Sequence, residues 1–82
     1  MINKLKIKVT TEASLEADLD RKEVENEIVK IIDELFSIGI QPKIGEYISS
    51  DVGDNTFVID EIFYGLSADE GTYANYWVKY AG

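Results

Sequence analysis

Any acid–base or nucleophilic chemistry in this chain would have to come from carboxylates, because its 82 residues include no His and no Cys. His is the side chain whose ordinary pKa lies in the physiological range, and Cys is the readiest nucleophile. What remains is sixteen acids, eight Lys and Arg together, and some hydroxyls. Paired carboxylates can work as general acid and base, as in glycoside hydrolysis. Sixteen acids in so short a chain form many pairs by chance, and a small domain leaves little room for a substrate cleft. Calcium is the other chemistry that oxygen-rich side chains support. Asp51, Asp54, Asn55, Asp60 and Glu61 lie close in sequence. A calcium loop needs acidic or amide groups at its first, third and fifth positions, Gly at the sixth and Glu at the twelfth. Counted from Asp51, the third, sixth and twelfth places hold Gly53, Thr56 and Ile62, so the cluster reads as a hairpin loop. None of the six scattered Gly has the spacing to Lys of a phosphate-cradling loop. The expectation is a protein that is no enzyme and holds no cofactor or metal.

What the carboxylates do offer is a charge distribution. Glu12, Glu16, Asp18, Asp20, Glu23, Glu25 and Glu27 place seven acids within sixteen residues, offset by Arg21 and Lys22. On a helix over 21–38, Glu23, Glu27 and Glu34 share the outer face, where neighbours one turn apart stand about 5–6 Å from each other. That separation is comparable with the spacing of phosphates along a nucleic-acid strand. Like charges so placed destabilise a helix by a few tenths of a kcal/mol per pair. Selection for an electronegative surface would account for them. The plainer account is that a first helical turn favours carboxylates at its positive dipole end, with the others serving solubility.

The elements that position these residues follow from periodicity. Residues 3–11 alternate, Leu5, Ile7 and Val9 on one face and Lys4, Lys6, Lys8 and Thr10 on the other, as a half-buried strand does. The acidic stretch 12–20 reads as an irregular connection, since Asp, Glu and Ala are poor strand formers. Over 21–38 the signals agree on a helix. Asp20 is the N-cap, with Glu23 completing a capping-box variant and Leu19 and Val24 a hydrophobic staple. Val24, Ile28, Ile31, Ile32 and Leu35 make the apolar stripe. Gly39 suits the left-handed stop, and Pro42 prevents continuation. Three strands follow, at Lys43–Ser50 with a bulge at Gly45, at Thr56–Tyr64, and at Thr72–Tyr80 after a loop from Gly65 to Gly71. The fold class is α+β, in the order β-α-β-β-β: one domain over 1–82, with a mostly antiparallel four-stranded sheet and one long helix packed on one face.

One helix covers one face, yet the last two strands carry large apolar residues on both. In the third strand Phe57, Ile59 and Phe63 oppose Val58, Ile62 and Tyr64. In the fourth, Tyr73 and Trp77 oppose Ala74, Tyr76, Val78 and Tyr80. Strands apolar on both faces are usually covered on both, and aromatic residues are enriched at interfaces. Tyr73, Tyr76 and Trp77 are therefore candidates for self-association or partner contact.

The basic alternation at the N-terminus breaks the apolar run that a signal peptide needs. No segment has the roughly 18 apolar residues of a membrane span, so a cytoplasmic protein is expected. Net charge −8 repels nucleic acid and anionic lipid. The lysines at 4, 6 and 8 read as a solvated or edge-protecting row. By size and charge, and through no motif, the chain resembles the small acidic inhibitors of phages and other mobile elements, among them anti-CRISPR, antirestriction and uracil-DNA glycosylase inhibitor proteins. That resemblance of composition transfers no residue role. It implies an inhibitor that imitates DNA, and the charge distribution supplies the expected residues: Asp18, Asp20, Glu23, Glu27 and Glu34, extended by Asp51 and Asp54, would face a basic, nucleic-acid-handling protein in the host cytoplasm. The alternative is a small non-catalytic structural or assembly subunit, homodimeric through its aromatic sheet face.

Overall fold

The computed structural model describes residues 5–11, 21–50 and 55–81. Five elements follow in order: β1 (Lys6–Thr11), α1 (Arg21–Ser37), β2 (Tyr47–Ser50), β3 (Asn55–Ser67) and β4 (Gly71–Tyr80). They build the expected α+β fold, a four-stranded sheet ordered β1-β4-β3-β2 with α1 against one face. Two pairings are antiparallel, and β1 joins β4 in parallel. Parallel neighbours need a long crossover rather than a tight turn, and here everything from α1 to β3 separates the two strands. The expected cap at Asp20 and staple at Leu19 lie outside the described residues, as do Asp18, Asp51 and Asp54.

The alternation in β1 sorts as read. Ile7 and Val9 are buried under α1, with Lys6, Lys8 and Thr10 on the opposite face. Thr11, also buried, needs partners for its polar atoms and finds them in α1. Its backbone N–H donates to Glu25 Oε2 at 2.9 Å, and its hydroxyl donates to the same oxygen at 3.0 Å. One member of the acidic stretch thus ties the end of β1 to the start of the helix.

The buried face of α1 is centred on Val24, Ile28 and Ile32, flanked by Val29, Ile31 and Phe36. Leu35, expected in the stripe, stands at its margin. The stop is as the sequence implies. Gly39 (φ 85°) donates to Phe36 O at 3.1 Å, and Ile40 N–H donates to Leu35 O at 2.8 Å. These are the two bonds of a Schellman cap, which ends a helix on a left-handed residue.

The strand expected from Lys43 is shorter, beginning at Tyr47, because a turn and a bulge precede it. Glu46 N–H closes a four-residue turn on Lys43 O at 3.1 Å. Gly45 (φ 92°) sits third in that turn, where a type II turn requires positive φ. Gly45 N–H donates to Ile59 O and Ile59 N–H to Glu46 O, both at 2.9 Å. Two residues facing one, with Gly first, make the expected bulge.

A second bulge was not legible. Register passes from Ile59↔Val78 directly to Glu61↔Trp77, leaving Asp60 extra. One inserted residue reverses which side each later side chain faces. Phe57 and Ile59 are buried as expected. Ile62 then packs on the core beside Tyr76, and Phe63 turns to the opposite face. The expected grouping of Phe63 with Phe57 and Ile59 is corrected on this ground.

The loop expected over Gly65–Gly71 also contracts, since β3 runs to Ser67 and β4 starts at Gly71. Gly65 belongs to the strand because the Tyr73 ring lies across it, in the space a Cβ would fill. The core joins Ile7, Val9, Val24, Ile28, Ile32, Ile48, Phe57, Ile59, Ala74, Tyr76 and Val78. Among the described residues, no helix is long and apolar enough to cross a membrane.

Candidate functional site

The face of the sheet away from α1 is assembled by alternation in four strands. Strand β4 supplies Tyr73, Asn75, Trp77 and Lys79. In register beside it, β1 supplies Lys6, Lys8 and Thr10. From β3 come Val58 before the bulge and Glu61, Phe63 and Gly65 after it. Tyr47 and Ser49 of β2 complete the face. Among the described residues, no element packs over this side.

Its centre is aromatic. Phe63 meets Trp77 edge-on at 6.2 Å between centroids and 77° between planes. Trp77 is nonetheless 40% exposed, Phe63 48% and Tyr47 68%. Large side chains left this open are the informative departure from ordinary burial. Polar partners steady the surrounding rows. Asn75 Nδ2 donates to Thr10 Oγ1 at 3.1 Å, and the Ser49 and Thr56 hydroxyls share a hydrogen bond at 3.1 Å.

Charge is arranged around this centre in two groups. Next to β1, Lys8 Nζ stands 2.8 Å from Glu70 and 4.5 Å from the Tyr73 ring centroid, and Lys6 lies 3.8 Å from Glu70. The hydrogen bond to Glu70 raises the Lys8 pKa against the opposing effect of desolvation, and the same bond lowers that of Glu70. At the far side, the extra residue of the bulge, Asp60, pairs with Lys79 at 3.6 Å, beside Glu61. Among the described residues, three lysines and three acids stand together on this face.

The sequence-derived candidates fall on opposite sides. Tyr73 and Trp77 lie together on the open face. Tyr76 does not: it is fully buried beneath α1, donates its hydroxyl to Pro42 O at 3.2 Å and meets Phe36 edge-on at 6.5 Å. Its inclusion in a self-association surface is corrected, because strand alternation places it with Ala74 and Val78. Glu23 and Glu34 are exposed on the outer side of α1 and Glu27 is half-buried there. Lys22 and Lys30 are exposed on the same helix, and Lys30 stands one turn from both Glu27 and Glu34. The phosphate-like row of carboxylates is therefore interrupted by ammonium groups. No three acidic side chains among the described residues converge as metal ligands would. A shallow groove of about 280 Å³ between β1 and α1 is lined by Leu5, Ile7 and Val29 together with the charged Lys6, Asp33 and Glu70.

Phe63, Glu61 and Tyr47 are the face residues that sequence reasoning missed. The first two depend on the bulge at Asp60, which lacks the Gly that marks the bulge at Gly45. Comparison with family models, with curated proteins and with solved structures finds no match to this chain.

Proposed function

We propose that this chain is a small, non-catalytic protein-binding module that docks through the uncovered sheet face. The observation that carries the reading is the exposure of Trp77, Phe63 and Tyr47 around a half-buried Tyr73 on a face where, among the described residues, three lysines and three acids stand together. Trp and Tyr supply most of the energy in many interfaces, and a rim of charged groups around an aromatic centre is the usual anatomy. The chain's acidic excess keeps the molecule soluble and repels nucleic acid.

A specific observation favours a second reading. Glu23 and Glu34 stay open to solvent on the side opposite the aromatic face. On that reading the protein is a cytoplasmic DNA-mimicking inhibitor of the phage type, and the helix carboxylates meet a basic, nucleic-acid-handling partner.

Site-specific photo-crosslinking in cells separates the two. A crosslinking residue placed at Trp77 or Tyr47 is expected to trap the partner, and one placed at Lys30 on the helix is not. Trapping from Lys30 alone, with competition by nucleic acid and slower association as salt rises, would replace the first reading with the second.

A further inference from the structure

We propose that the edge of β3 beyond the end of β2 takes up a fifth strand: an extended, apolar segment of another protein that carries a basic residue at each end. Strand β2 pairs with β3 only over Asn55 to Val58, and the turn at Gly45 extends that pairing to Ile59. On its other side β3 stays paired with β4 as far as Ser67. Backbone groups along a strand turn alternately to its two sides. Thr56 O accepts from Ala81 N–H, which directs Thr56 toward β4, while Ile59 is bonded on the β2 side. With Asp60 inserted, Glu61, Phe63, Gly65 and Ser67 bond to β4, and Ile62, Tyr64 and Leu66 turn their N–H and C=O groups outward. Among the described residues, no backbone bond reaches those three from outside the β3–β4 ladder.

The run from Ile62 to Ser67 carries no charge, and Tyr64 is 61% and Leu66 79% exposed. Open edges are usually blunted by charge or covered. The edge of β1 is guarded in this way: Lys6 and Lys8 line it, and Glu25 takes its outward Thr11 N–H. The edge of β3 lacks both devices. It suits recognition by strand addition, in which main-chain bonds supply affinity and alternate side chains supply specificity. Tyr64 and Leu66 call for an apolar occupant. So does the loop with exposed Ile40 and Ile44, which the bond from Gln41 Nε2 to Tyr64 Oη at 2.8 Å holds beside them. The ends of the edge set the occupant's charge. Exposed Glu61 precedes the uncharged run, and exposed Asp69 follows it, placed by its N–H bond to Ser67 Oγ at 3.2 Å. Neither carboxylate forms an ion pair among the described residues. A second copy paired antiparallel through the same residues would bring acid toward acid at both ends. A strand ending in Lys or Arg meets attraction at both.

Amide hydrogen exchange of the full chain, read by NMR with and without a synthetic peptide, tests this. The probe is a peptide of alternating Val and Thr with a Lys at each end. At about ten times its Kd it is expected to slow exchange at Ile62, Tyr64 and Leu66 by about tenfold. The same peptide with Glu at each end should give no protection at that concentration. N-methylating the peptide amides that face β3 should also abolish protection, because the charges remain and the ladder bonds do not. Glu61→Lys combined with Asp69→Lys, folded by circular dichroism, should exchange the preference and take the Glu-ended peptide. Binding indifferent to the sign of the peptide's ends would overturn the proposal, as would protection confined to Ile7 and Val9, or none at millimolar peptide. Amides already protected without peptide would also overturn it, assigning the edge to the chain itself in a monomer and to a second copy in a dimer. None of these outcomes bears on the open sheet face, which crosslinking from Trp77 tests.

Discussion

Raising the pH should loosen this fold through a single buried phenol. Tyr76 is fully buried, donates its hydroxyl to Pro42 O, and so pins the loop after α1 to the sheet. Desolvation by burial, reinforced by Tyr64 and Glu46, pushes its pKa from 10.0 up to about 12. The folded protein therefore holds this proton more tightly than the unfolded chain does. The contribution to stability is complete below pH 10 and falls as the pH rises from 10 toward 12. At about pH 11, one unit above the unfolded pKa and one below the folded, the loss is about 1.4 kcal/mol. Tyr76→Phe keeps the ring and removes both the proton and the bond to Pro42. Urea unfolding at about pH 8 should find the variant less stable by about 0.5–1.5 kcal/mol, the usual net value of such a bond. At about pH 11 the two proteins should be nearly equal, because only wild type carries the extra loss. Lysines and the other tyrosines are common to both and cancel. The difference between their tyrosinate absorbance titrations should also reveal one phenol ionising near pH 12. Equal losses in both proteins, or a difference titration centred at pH 10, would show that Tyr76 is not shut away from water.

The other expectations concern side chains whose roles the fold separates. Glu25→Ala should cost about 1.5–3 kcal/mol by stranding the buried Thr11 donors, whereas Glu27→Gln should stay within about 0.5 kcal/mol; chemical denaturation of both checks this. Ile28→Ala should cost about 2–5 kcal/mol by opening a cavity at the centre of the core, measured in the same way. Gly65→Ala should cost about 1–3 kcal/mol, since its Cβ would fall on the Tyr73 ring. In a Tyr73→Ala background the same change should cost much less, and an unchanged penalty there would mean the ring is not what excludes a side chain at 65.

Where sequence signals were local and redundant, the fold was legible. The stop of α1 needed only Gly39 and Pro42, and the alternation of β1 needed only its own residues. Gly45 announced its bulge because positive φ has a residue type attached to it. Asp60 announced nothing. An inserted residue without Gly follows from how β3 must bend to remain paired with β4, and that is a property of two strands. The same holds for Gly65, which reads as a loop residue until Tyr73 is seen lying over it, and for Glu25. In sequence Glu25 is one acid among seven, and only the approach of Thr11 across the crossover distinguishes it.

The bulge at Asp60 also decides what the candidate surface is. Without it Phe63 would stay in phase with Phe57 and Ile59 and point toward the helix side, while Ile62 would take its place on the open face. Trp77 would then lose its edge-on partner. Asp60 would no longer be set beside Glu61 and Lys79 at the acidic rim. A single inserted residue thus supplies the aromatic pair and half of the charge pattern. Deleting Asp60 outright should instead leave Ile59↔Val78, Glu61↔Trp77 and Ile62↔Tyr76 in unbroken succession, keep Phe63 against Trp77 and remove the ion pair to Lys79. Circular dichroism and Trp77 emission close to wild type check this, and an exposed, red-shifted Trp77 would refute it.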